Sequence, residues 1–90
     1  MSDTAQDILE LEKKLNDCEG DDVLNKHAIE IFDKLVENMI DAEARQDSVY
    51  VQEVQNNIGE FSRVLDEIDE HRHKHALDEF VEHVKNRMQE

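Results

Sequence analysis

An all-α fold, a small antiparallel bundle of three to four helices, is what this sequence predicts, and three observations carry it. The 90-residue chain contains no proline and only two glycines, Gly20 and Gly59, whereas a β domain needs frequent turn residues. Apolar residues recur at three- and four-residue steps along most of its length, the spacing that gathers them on one face of a helix. The length holds one domain at most, and so short a chain gains little more from burial than ordering it costs. Self-association would enlarge the core, so an intertwined homodimer is the alternative architecture.

The first helix is expected over about residues 4–19. Ser2, Asp3 and Thr4 compete as its cap, and Thr4 with Asp7 resembles a capping box with Asp in place of Glu. Ile8, Leu11, Leu15 and Cys18 form a narrow apolar seam, with Leu9 just off it. That register makes Cys18 a small buried hydrophobe, since its neighbours Asp17 and Glu19 would oppose a thiolate. Gly20 suits the left-handed position that closes a helix. Asp21 or Asp22 then caps a second helix, and so short a turn makes the two helices antiparallel neighbours.

The second helix, about 22–45, organises the rest. Leu24, Ala28, Ile31, Leu35, Met39 and Ala42 share one face, which Phe32 and Val36 widen. Ile29 and Ile40 lie further round the same flank. A stripe this wide needs neighbours on more than one side.

Asp47 or Ser48 is the expected cap of a third helix, about 49–70. Val49, Tyr50 and Val51 are poor helix formers, which leaves a short extended piece as the alternative there. From Val51 onward the face is Val51, Val54, Ile58, Phe61, Leu65 and Ile68. Gly59 lies off that face. It either weakens an exposed helix or admits a close helix contact.

After Ile68 the apolar face changes sides. On a continuous helix Leu77 would lie about 180° and Phe80 about 120° from Ile68. Either the chain turns near Glu70–His75 into a short fourth helix, about 74–88, or one long helix serves two cores in an intertwined dimer. A turn keeps one core and is the preferred reading, although no glycine or proline marks it. Leu77, Phe80, Val81, Val84 and Met88 then form a surplus apolar face.

Charge narrows the partners. The chain carries 10 basic and 24 acidic residues, a net of −14. Residues 1–45 hold 5 basic against 13 acidic groups and residues 46–90 hold 5 against 11, so the whole body is acidic. Direct nucleic-acid binding and anionic membranes are disfavoured. A basic protein partner is the electrostatic complement. A single cysteine excludes an intramolecular disulfide. With no signal peptide and nothing near the roughly 20 apolar residues of a membrane span, a cytoplasmic location is expected.

No catalytic, cofactor-binding or metal-binding residue is assigned. Ser2, Ser48 and Ser62 lack a glycine elbow or a base. Glu53 or Glu60 with His83 could imitate one half of a di-iron pattern, but the spacing from Glu79 to His83 is four rather than three. His71, His75, Glu79 and His83 would form one i,i+4 column on an unbroken helix and could share zinc or nickel. Arg72 and Lys74 oppose a cation there, so a solvated face is preferred. The same histidines, among many carboxylates, could answer to pH near 6.5.

Each Phe reads as core. Met39 and Met88 read the same way, while Tyr50 is a candidate exposed anchor. The chain is therefore expected to be a non-catalytic helical interaction module, an adaptor, chaperone or regulator for a basic or helical protein partner. The alternatives are a DNA mimic that inhibits a nucleic-acid-binding protein, and a metal- or pH-responsive regulator built on His71, His75 and His83.

Overall fold

The computed structural model describes residues 4–89 and is helical throughout, with no strand among the described residues. Four helices follow in order: α1 (Thr4–Asn16), α2 (Asp21–Arg45), α3 (Ser48–His71) and α4 (Asp78–Met88). No helix among them is long and apolar enough to cross a membrane.

α2 is the central element. α1, α3 and α4 each pack against it, and α1 also packs against α3. Leu24, Ala28, Ile31, Leu35 and Ala42 are buried along its inner face. Ile8, Leu11 and Leu15 come from α1, and Val54, Phe61, Val64 and Ile68 from α3. Each fully buried Leu, Ile or Val contributes about 1.5–3 kcal/mol, so these stripes, rather than helix propensity, hold the bundle together. Val64, fully buried, was not on the expected face of α3, and Ile58, which was, is 40% exposed.

Both turns that flank α2 close in the same way, and neither uses a glycine. At the end of α1, Cys18 adopts φ 60°, its N–H donates to the Leu15 carbonyl and that of Glu19 to the Lys14 carbonyl. At the end of α2, Gln46 adopts φ 55°, its N–H donates to the Glu43 carbonyl and that of Asp47 to the Ala42 carbonyl. These paired bonds are the Schellman motif. Gly20 is extended instead, φ −66° and ψ 159°, and serves as the N-cap residue of α2. The roles expected of Gly20 and of Asp21 or Asp22 are thus each displaced. Both aspartates lie in the first turn of α2, where they complement the helix dipole. Cys18 is exposed rather than buried, because α1 stops before it and the left-handed turn takes it off the seam.

Asp47 caps α3 as expected, its carboxylate accepting the Tyr50 N–H at 3.1 Å. The cap draws Val49–Val51 into the helix, and no extended piece forms. Tyr50 is half-buried, not a free anchor. Its hydroxyl donates to Asn38 Oδ1 at 3.3 Å, and Asn38 Nδ2 donates to Thr4 Oγ1 at 2.9 Å. That chain joins α3, α2 and α1. Of the competing first caps, Ser2 and Asp3 lie outside the described residues.

The chain turns between His71 and Asp78, so the unbroken 49–88 helix does not form. The change of apolar face is accounted for by this turn within one chain. Ala76 and Leu77 are buried in the connection, and Phe80 carries α4 into the core. Its ring meets Phe32 of α2 and Phe61 of α3 edge to face, with centroids 6.1 and 5.7 Å apart.

Leu77, the N-cap residue of α4, has no side-chain oxygen to offer. Asn25 of α2, 3% exposed, supplies it. Asn25 Oδ1 accepts the Phe80 N–H at 2.9 Å, while its Nδ2 donates to the carbonyls of Ala76 at 2.6 Å and Asp21 at 2.8 Å. A buried amide satisfied on every side stabilises; a half-satisfied one costs more than an apolar residue.

Candidate interaction surface

The turn at 72–77 disperses the histidine column. His71 ends α3, exposed. His73 Nε2 lies 2.6 Å from Asp21 Oδ2, and His75 Nδ1 lies 3.1 Å from Asp78 Oδ2. His83 Nε2 lies 2.9 Å from Asp33 Oδ1, which also accepts from Arg87 at 3.1 Å. Arg72 donates to Asp21 at 3.1 Å and to the Glu19 carbonyl. The Arg72, His73, His83 and Arg87 contacts fasten the connection and α4 to α2, and the His75–Asp78 pair is local to the turn; they do not converge on one ion.

A different donor group does converge. Asp7 and Glu10 of α1 and His27 of α2 bring one ligand atom each within 4.8 Å of the others. The spacing of any single helix could not reveal it, because it spans the α1–α2 hairpin. The Asp7 carboxylate already accepts from the Lys34 ammonium, and His27 Nε2 lies 3.0 Å from the Asp7 carbonyl. One of the three donors is thus already paired with a protein cation.

Two surface recesses accompany the bundle. One, of about 670 Å³, is lined by Asn38, Asp41, Arg45, Asp47, Tyr50 and Glu53 among others, where α1, α2 and α3 meet. The other, about 530 Å³, lies between Ile29 and the Asp78, Glu79 and Glu82 side of α4. Both are rimmed by carboxylates.

The surplus apolar face expected of the fourth helix is mostly buried. Leu77 and Phe80 join the core and Val84 packs against it. Val81 remains 43% and Met88 78% exposed, so Met88 is not the core residue that its spacing implied.

Their position follows from two sets of contacts. His83 and Arg87 reach Asp33, which puts α2 on one flank of α4. Val81 and Met88 occupy the other flank. On α3, Arg63 donates to Glu12 of α1 at 2.9 Å, which leaves Val51, Ile58 and Leu65, seven residues apart, on the flank away from α1. The Phe61 and Phe80 rings meet edge to face, while Ile58 on α3 and Val81 and Met88 on α4 stay exposed.

The surrounding charge is strongly acidic. All four arginines are engaged inside the chain: Arg45 with Asp41, Arg63 with Glu12, Glu60 and Glu67, Arg72 with Asp21, and Arg87 with Asp33. The Arg63 guanidinium, through its hydrogen bond to Glu12 above all and then to Glu60, is held more firmly protonated than usual. Its bond in turn holds the Glu12 carboxyl below the ordinary 4.5, with the neighbouring Glu67 adding to the shift. Glu30, Glu37, Glu43, Glu53, Glu79 and Glu82 are exposed and form no ion pair among the described residues. No protein-family model, curated protein or solved structure matches the chain.

Proposed function

We propose that this protein is a non-catalytic interaction module whose acidic surface binds a basic, helical segment of a protein partner. One observation carries the reading: every arginine is spent on an intramolecular carboxylate, so the surplus behind the net charge of −14 faces solvent. Such a surface speeds encounter with cationic partners and repels anionic ones. The buried part of the α4 face no longer supports the reading; its exposed edge still does.

A duplex mimic draws less support. Arg63 interrupts the carboxylates of Glu12, Glu60 and Glu67, where a mimic needs continuous rows. The metal- or pH-responsive reading loses the column on which it rested. A homodimer through the exposed apolar edges is opposed by the mutual repulsion of two chains of this charge.

The test is fluorescence anisotropy with a labelled amphipathic Leu/Lys peptide and with labelled duplex DNA. Peptide binding that weakens steeply with added salt, with no binding to DNA, is the expected result. Failure to bind the peptide even at low salt would overturn the reading.

A further inference from the structure

We infer that the seat for that partner is an apolar shelf between α3 and α4, and that its occupant is one amphipathic, basic α-helix. The inference rests on the basic-partner reading above and adds to it a place and a shape.

The place follows from geometry. Ile58 on α3 and Val81 on α4 are 40% and 43% exposed, and Met88 is 78% exposed. Each lies on the flank of its helix opposite a neighbour already fixed by ion pairs, α1 for α3 and α2 for α4. Between them, half-buried Leu65 and Val84 pack against the core and give the shelf its floor. α3 has 24 residues and α4 has 11. An apolar ledge along two neighbouring helices accepts a third rod laid along it, with anchors at i, i+3, i+4 and i+7.

The occupant follows from charge. Asp66 and Asp69 of α3 are exposed beside the α3 edge of the shelf, while the α4 edge carries Lys85, so the acidic border lies on α3. An apolar strip with an acidic border fits a helix with an apolar stripe flanked by Lys or Arg. A second copy of this chain would bring its own −14 to the same border.

The experiment compares two synthetic peptides of about five helical turns and identical Leu/Lys composition, one with the leucines on a single helical face and one scrambled. Binding is measured by calorimetry to the wild-type chain and to Ile58→Asp and Val81→Asp, with Glu37→Gln as a remote control. Backbone amide shifts of the labelled wild type are recorded with each peptide, so that the seat is located even if a variant folds poorly.

The ordered peptide is expected to bind at least tenfold more tightly than the scrambled one. It should shift the amides around Ile58, Leu65, Val81 and Val84, and lose tenfold or more with either Asp variant but not with Glu37→Gln. Equal binding of both peptides, with shifts scattered over the acidic surface, would overturn the shelf and leave the basic-partner reading standing. Binding of neither peptide would overturn both. A doubling of mass in the wild type alone, abolished by Ile58→Asp, would replace the helical partner with a second copy.

Discussion

The side-chain oxygen of Asn25 accepts the backbone N–H of Phe80 at 2.9 Å, so the first turn of α4 is capped by a residue 55 positions earlier. The same amide donates to the Ala76 carbonyl at 2.6 Å. One buried side chain therefore holds both the connection and the helix that follows it. A purely apolar contact would let a helix of 11 residues slide by a turn; two hydrogen bonds from one side chain, to Ala76 and Phe80, fix its position.

Asn25→Ala is expected to lower stability by about 2–3 kcal/mol, because a buried N–H and a buried carbonyl lose their partner. The loss should not be uniform. Hydrogen exchange should quicken more in α4 than in α1, since the Asn25 bonds to Ala76 and Phe80 hold the start of α4 and none reaches α1. Equal acceleration in both helices would refute the local role.

Gly59→Ala is expected to stabilise by about 1 kcal/mol. A Cβ built at Gly59 meets nothing within 4 Å, so α3 gains helix propensity without a clash. The melting temperature should rise by roughly 4–8 °C for a chain of this size. A fall would mean that the glycine serves a contact the fold does not reveal.

Cys18→Gly is expected to stabilise by up to about 1 kcal/mol, because the residue sits at φ 60°, where a Cβ is strained. The contrasting variant is Gly20→Ala: the residue is extended with open space around it, so no strain is relieved, and Ala is a poorer N-cap than Gly, so it should lose stability, by about 1 kcal/mol at most. Denaturant midpoints of the two variants decide between them.

The Glu12–Arg63 pair predicts an acid-sensitive contribution. The folded carboxyl of Glu12 lies below its ordinary value of 4.5, so its stabilisation is whole above that pH and is lost as pH falls through the lowered folded value. The difference in denaturation midpoint between the wild type and Glu12→Gln should be positive at neutral pH, shrink below about pH 4.5 and vanish once the carboxyl is protonated in both states. A difference that persists unchanged into strong acid would assign the effect to packing.

The helices were legible because their faces repeat at the helical period; Leu24 to Ala42 marks the core of α2 without reference to anything else. The break before α4 was visible only as a change of face between Ile68 and Leu77, since no glycine or proline sits there. The end of α1 was misread because Gly20 drew the left-handed role to itself, while the backbone closes two residues earlier on Cys18. Spacing could not show Asn25 as a cap, because the helix it caps arrives by a tertiary route. The exposed edges of α3 and α4 were hidden for a related reason. A helical wheel shows that Ile58 and Val81 each lie at the edge of a stripe, but only the packing of α1 and α2 decides that both edges stay exposed. The histidines illustrate the converse, a pattern clear in one dimension that the turn takes apart.

The exposed position of Cys18 has a bearing on any attempt to weigh this protein. With one cysteine per chain, and that one open to solvent at the α1–α2 turn, air oxidation can join two molecules and no more than two. The product would run as a clean dimer on a non-reducing gel and in light scattering, with its bundles linked at a turn and no shared core. An apparent pairing measured without reductant would report the redox state of the buffer, and the same thiol, kept reduced, offers a single defined point for attaching a spectroscopic probe.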